Sequence, residues 1–194
     1  MKYSIAIIFT LTLFIYACKN KSSNQTKAVV ATDTLAKQRF FPVTNYIKGQ
    51  LFDIKQKGVN PLKYTTIDNR TDSVWLKIED LSTAVSEFLT PVIDSANLNT
   101  LFLEKSFKDQ TLNAITFTYE PVAKIPDSIS LSNWNVYIEP ETGNVKSIYL
   151  VKTIGAKTIQ LTWTNNTNCK MVYLTSNADG SFKIEKEEKI VWDF

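Results

Sequence analysis

Apolar side chains along this chain first fall into a repeat at Val43, Ile47, Leu51 and Ile54, spaced by four, four and three residues. That spacing lines one face of an α-helix. Phe40-Phe41-Pro42 opens the ordered region ahead of it, Tyr46 and Gln50 flank the stripe, and Gly58 follows where a left-handed helix stop is favoured, so a helix is expected over about 43–57. Leu62, Tyr64 and Thr66 then alternate up to the polar cluster Asp68-Asn69-Arg70-Thr71-Asp72, and Val74, Trp75, Leu76 and Ile78 resume the apolar pattern, a strand, turn, strand unit. A second helical stripe runs through Leu81, Val85, Phe88, Leu89 and Val92, with Glu79 and Asp80 at its amino end and Pro91 to stop or kink it.

From about residue 101 the period changes to two. Ile115, Phe117, Tyr119; Trp134, Val136, Ile138; Ile148, Leu150; Ile159, Leu161, Trp163; Met171, Tyr173; Phe182, Ile184; and Ile190, Trp192, Phe194 each alternate as half-buried strands do. Pro140-Glu141-Thr142-Gly143, Asn165-Asn166-Thr167-Asn168 and Asn177-Ala178-Asp179-Gly180 separate some of them with turn chemistry, and such short connections favour antiparallel neighbours. The expected fold class is α+β: an antiparallel β-sheet meander with about two helices packed on one face. The closing Ile190-Val191-Trp192-Asp193-Phe194 is expected to dock as a final strand.

The amino-terminal pattern is of another kind. Ile5 to Ile15 is apolar except for Thr10 and Thr12, behind a positive Lys2. It falls short of the roughly 20 apolar residues a spanning helix needs and fits the core of an export signal, the other reading being an uncleaved anchor. Residues 19–37, rich in Ser, Asn, Gln, Thr and Lys, have little to bury and read as a flexible tether. The formal charge of +3 belongs to these leading segments, because residues 38 onward carry 17 Lys and Arg against 18 Asp and Glu, a net of −1. A nucleic-acid partner would need a basic stripe on the domain itself, so none is expected, and a basic tether fits proximity to anionic lipid.

Ile15-Tyr16-Ala17-Cys18 resembles the lipobox of bacterial lipoproteins, with Tyr16 its atypical member. The resemblance implies that residues 1–17 are a signal peptide removed before Cys18, that the Cys18 sulfur carries diacylglycerol and its new amino terminus an acyl chain, and that 18–37 is a lipidated tether to a single α+β domain over 38–194. Two or more chains give stable membrane anchoring where one does not. Exported Bacteroidota lipoproteins often carry acids directly after the lipidated cysteine; Lys19-Asn20-Lys21 is the opposite and favours a periplasm-facing leaflet of the cell envelope. With Cys18 lipidated, Cys169 has no partner for a disulfide within the chain and is expected to be a buried strand residue, with a reactive thiol as the other reading.

Histidine is absent, which removes Ser-His-Asp and Cys-His nucleophile pairs, His-ligated zinc and the usual neutral-pH general base. The five glycines are dispersed, so no phosphate-cradling loop or dinucleotide fingerprint forms. No catalytic, metal-binding or cofactor-binding residues are expected, and no cofactor. The closest acid pairs, Asp68 with Asp72 and Glu139 with Glu141, fall in predicted turns, where carboxylates are solvated and not held in a cleft. Asp68 to Asp72 also lacks the glycine and distal glutamate of a calcium loop. Trp75, Trp134, Trp163 and Trp192 sit on alternating apolar positions and are expected in the core, the other reading being a carbohydrate- or peptide-binding platform.

Residues 134–151, WNVYIEPETGNVKSIYLV, resemble the terminal hairpin of PepSY-like domains, which implies a loose link to peptidase inhibition and envelope regulation. FFPVTNYIKGQL, the run around EKSFKDQTLNAITFTYEP, and KEEKIVWDF resemble an uncharacterised Bacteroidota lipoprotein family, which implies location and single-domain character only. Asp33-Thr34-Leu35, Asp72-Ser73-Val74, Asp94-Ser95-Ala96 and Asp127-Ser128-Ile129 each resemble the Asp-Ser/Thr-aliphatic acceptor of Bacteroidota periplasmic O-glycosylation, with Thr34, in the tether, the first acceptor expected. The expected function is a lipid-anchored, non-enzymatic envelope module that binds a protein, peptide or glycan. The alternatives are a carboxylate-dependent hydrolase or a PepSY-like peptidase inhibitor.

Overall fold

Residues 39–193 are described by the computed structural model, so the expected signal peptide (1–17), the expected tether (18–37) and Phe194 lie outside the described residues. Helix α1, Val43–Lys57, forms where the apolar stripe placed it and buries Val43, Ile47, Leu51 and Ile54. Gly58 ends it in the left-handed region at φ 67°, its N–H donating to the Lys55 carbonyl. The buried Thr44 hydroxyl accepts the Ile93 N–H at 2.8 Å while its own N–H donates to the Ile93 carbonyl at 3.1 Å, pinning the start of α1 to the chain beyond the second helical segment.

That second segment is not the continuous helix its stripe predicted. A 3-10 turn at Ile78–Asp80, helix α2 at Leu81–Ala84 and another 3-10 turn at Ser86–Leu89 replace it, with the break at Val85 (φ −108°, ψ 17°). The sequence LSTAVSEFLTP explains the break. Its Ser, Thr and Val residues compete for backbone bonds or restrict rotamers, and Thr90 Oγ1 donates to the Ser86 carbonyl. Leu81, Val85 and Phe88 are buried as expected, but Val92 is half exposed and Ile93 takes its place in the core.

Nine strands form one antiparallel sheet: β1 Leu62–Ile67, β2 Arg70–Trp75, β3 Phe102–Asp109, β4 Ala114–Pro121, β5 Leu131–Ile138, β6 Val145–Ile154, β7 Lys157–Thr164, β8 Asn168–Ser176 and β9 Phe182–Val191. Their spatial order is β2-β1-β9-β8-β7-β6-β5-β4-β3. The meander is therefore incomplete. It holds from β3 to β9, while the β1-β2 hairpin adds beside β9, so the last strand sits inside the sheet. The sheet dominates, and α+β holds in the looser sense of one large sheet with a thin helical layer.

Two strand expectations change. β3 gave no alternation because only Phe102 on it is fully buried, as an edge strand allows. Phe182, Ile184 and Ile190 lie on one strand, β9, with Trp192 just past its end and Phe194 outside the described residues, and its bulge between the Tyr173-Lys186 and Leu174-Ile184 pairs changes the face of its even-numbered residues. Ile184 is thereby exposed, whereas Ile190 is buried.

One face of the sheet carries the core. Tyr119 stacks on Trp134 at 4.5 Å and 7°, and Phe40 and Phe102 meet these rings edge-on. Phe88 from the second helical segment meets Trp163 at 5.4 Å, and Trp163 in turn packs on Trp192 at 5.0 Å. Each such ring pair contributes about 0.5–1.5 kcal/mol beyond its area. Trp75 is the correction among the tryptophans, since it lies on edge strand β2 and is 60% exposed. No helix among the described residues is long and apolar enough to cross a membrane.

Candidate functional site

Alternation fixes which side chains share each face of the sheet. Trp134, Val136, Ile148, Leu150, Leu161 and Trp163 point to the core, so their strand neighbours point the other way, where no helix packs. On this bare face, free of helix but half-buried at each of these positions except Thr153, β5 contributes Asn133, Asn135 and Tyr137, β6 Ser147, Tyr149, Val151 and Thr153, and β7 Thr158, Gln160, Thr162 and Thr164. None of these residues is charged, and the nearest charge beside them is Lys170 on β8, opposite Thr162 and ion-paired to Glu187 at 2.8 Å.

Tyr149 lies directly opposite Asn135, and Tyr137 faces Thr116 on one side and Ser147 on the other. Asn135 Nδ2 donates to the Tyr137 hydroxyl at 3.2 Å. Burial, and then the nearby Tyr137, raise the Tyr149 phenol above its ordinary value, so its hydroxyl keeps its proton at neutral pH. Thr116 Oγ1 and Asn135 Oδ1, in the same patch, are buried and have no hydrogen-bond partner among the described residues. Phe107 on β3, opposite Thr116, is 52% exposed and extends the patch with a further ring. The face thus combines flat rings with neutral amides and hydroxyls at cross-strand spacing.

Where the helical cover ends, the opposite face turns ionic. Lys152 on β6, 2% exposed, places Nζ 2.7 Å from Glu87 Oε2 and 3.4 Å from Thr90 Oγ1. Glu188 on β9 lies 2.6 Å from Lys63 Nζ and 3.4 Å from Lys186 Nζ, and it accepts the Tyr173 hydroxyl at 3.2 Å. The Lys186 ammonium sits 4.2 Å from the centre of the Tyr173 ring. Burial pushes the Glu188 carboxyl up, but the hydrogen bond and charge of Lys63, joined by Lys186, outweigh it and hold the group below its ordinary value. Burial first, then the Glu188 charge, raises the Tyr173 phenol well above its usual range.

Three lysines therefore answer two carboxylates, and the contacts join β6 to the helical layer and β1 to β9. The pattern is that of a clamp. The sequence signal for it was present but unread, since Lys152 continues the phase of Ile148 and Leu150, and Glu188 precedes Ile190 and Trp192 in phase. A charged residue in step with buried apolar ones marks a paired interior charge.

The acid pairs read from sequence do not converge in a cleft. Asp68 and Asn69, at φ 47° and 63°, form the β1-β2 turn, but Asp72 lies within β2 and not in the turn, opposite Thr65. With Thr65, Ile67 and Arg70 the two aspartates border an open depression at the edge of the sheet. Glu139 is half-buried and Glu141 exposed at the β5-β6 turn, where the Gly143 N–H donates to the Glu139 carbonyl. Among the described residues no group of three or more Cys, Asp or Glu is placed to hold a metal ion. Cys169 is fully buried on β8, and burial pushes its thiol well up.

Cys18 and Thr34 lie outside the described residues. Ser73 is exposed on β2, Ser128 is exposed in the β4-β5 connection, and Ser95 is half-buried with its carbonyl accepting the Phe40 N–H. Residues 134–151 form the β5-β6 hairpin, which lies in the interior of the sheet. No protein-family model, no curated protein and no solved structure matches the chain.

Proposed function

We propose that this protein is a lipid-anchored module of the bacterial cell envelope, on its periplasmic side, that binds a neutral glycan on its bare sheet face and performs no chemistry on it. The observation that carries the glycan reading is the uncharged run across β5, β6 and β7, in which Tyr137 and Tyr149 stand among Asn133, Asn135, Gln160 and Thr162. Sugar rings offer C–H faces that lie against aromatic rings and hydroxyls that exchange hydrogen bonds with amides and alcohols. A charged ligand would leave these groups without compensation for its lost hydration. The anchoring half of the proposal rests on the lipobox-like Ile15-Tyr16-Ala17-Cys18.

A hydrolase finds less support. The carboxylates nearest the core, Glu87 and Glu188, both act on the Tyr173 phenol, but each is matched by lysine. The PepSY-like inhibitor would act through the β5-β6 hairpin, and interior strands offer their turns but not their edges to a protease.

Calorimetric titration of the purified chain with a panel of neutral oligosaccharides, N-acetylhexosamine oligomers among them, tests the binding half. Binding by at least one, lost in Tyr137→Ala and Tyr149→Ala variants that melt normally, is the expected result. Heats absent across the panel, or unchanged in both variants, contradict it. Intact-protein mass spectrometry of native material tests the rest, since diacylglyceryl and acyl mass at Cys18 is expected, and hexose mass is expected if Thr34 is an acceptor.

A further inference from the structure

We propose that the outer surface of α1 rests on an anionic bilayer, turning the bare sheet face away from the membrane. Phe52 is 62% exposed although it lies mid-helix, next to the buried Leu51. Lys48 and Lys55, four residues before it and three after, fall on the same side of the helix and are both exposed. Together with Leu51, Ser82 and Leu89 these three line a groove of about 380 Å³ between α1 and the second helical segment. Asp53, the one acid of α1, lies about 100° around the helix from Phe52, on the flank away from the lysines.

An exposed aromatic between two cations is the chemistry of an interfacial contact: the ring enters the headgroup region while the ammonium groups meet lipid phosphates. The place of α1 in the chain, directly after the expected tether, favours a bilayer over a soluble anion. The described residues begin at Arg39, four residues before α1, so α1 is the element nearest the tether. If the expected tether, residues 18–37, is unstructured, a chain of that length has a root-mean-square span of about 25 Å, which would keep α1 within about one domain diameter of the lipids. At that range a contact that recruits the free protein only weakly, at high lipid concentration, orients a tethered one almost fully. This inference rests on the lipid-anchored reading above.

The test uses the full mature chain, residues 18–194, with Cys18→Ser so that no acyl chain contributes. Co-sedimentation is measured with vesicles of phosphatidylcholine alone and of phosphatidylcholine mixed with phosphatidylglycerol. Binding to the mixed vesicles only, weakened by salt, is expected. The combined Lys48→Glu, Phe52→Ser, Lys55→Glu change should lower it by about tenfold or more. These positions are exposed, so circular dichroism should show an unchanged fold.

A second variant replaces Lys19, Lys21, Lys27 and Lys37 by serine and should keep most of the binding. Equal binding to both vesicle types, an inert helix variant, or loss of all binding in the tether variant would each overturn the proposal. Its failure is separable from that of the anchor, because native protein without lipid mass would remove the anchor and leave the vesicle result as measured.

Discussion

The two faces of the sheet are built from the same strands and do opposite work. On the helix-side face Trp134, Ile148, Leu161 and Trp163 are fully buried, and even its charges are tied down, Lys152 to Glu87 and Glu188 to Lys63. One residue away along each strand, Asn135, Tyr137, Tyr149 and Thr162 meet no helix and carry no charge. A period of two places core packing and the proposed recognition on alternate residues of one segment. Neighbours in sequence should therefore respond to mutation in different currencies.

The largest contrast lies between Trp134 and Tyr149. Removing the Trp134 side chain deletes a ring that stacks on Tyr119 and meets Phe40 and Phe102, so Trp134→Ala should cost about 3–5 kcal/mol in chemical denaturation. Next comes the Lys152-Glu87 pair, in which the two partners should not be equivalent. Glu87→Ala leaves a buried ammonium without its carboxylate and should cost about 1–2 kcal/mol, less than the roughly 3–5 kcal/mol of a fully interior pair because Glu87 is 37% exposed and water can reach the site. Lys152→Met removes the charge and keeps the volume, so its melting temperature should fall less than that of Glu87→Ala. Equal losses would mean that the pair itself, and not the stranded charge, sets the cost.

Glu188 gives a smaller effect with a defined pH dependence. Its carboxyl is held below the ordinary value of 4.5, so the folded chain binds fewer protons than the unfolded chain between the two values. The stabilisation is complete above about 4.5 and disappears as pH falls through the lower folded value. Glu188→Gln should lower the melting temperature at neutral pH and flatten its decline in acid, as thermal melts across that range would report. The smallest effect on stability belongs to Tyr149→Ala, within about 1 kcal/mol, although its effect on glycan binding should be the largest of the five variants.

Much of this division was legible in the sequence, and what was not has physical reasons. The helix from Val43 and the core phase of β4 to β8 followed from periodicity, because each element buries one continuous face. Trp75 and β3 were misjudged or missed because they lie at sheet edges, where alternation no longer reports burial. The second helix failed because its stripe was right and its backbone chemistry was not, with Ser, Thr and Pro breaking what Leu81, Val85 and Phe88 outlined. The place of β1 beside β9 is a long-range pairing, and local pattern carries no information on it. The bare face was implied by parity alone, whereas the ion-pair network needed that unseen pairing to bring Lys63 to Glu188.

The most direct test of the central claim is solution NMR of the isotope-labelled chain titrated with whichever neutral oligosaccharide gives heat of binding. Shifts concentrated at Asn135, Tyr137, Tyr149, Gln160 and Thr162, with Lys63, Glu87 and Lys152 unmoved, are the predicted result. Shifts centred on the helical layer or the ion-pair network, with the bare face silent, would contradict it.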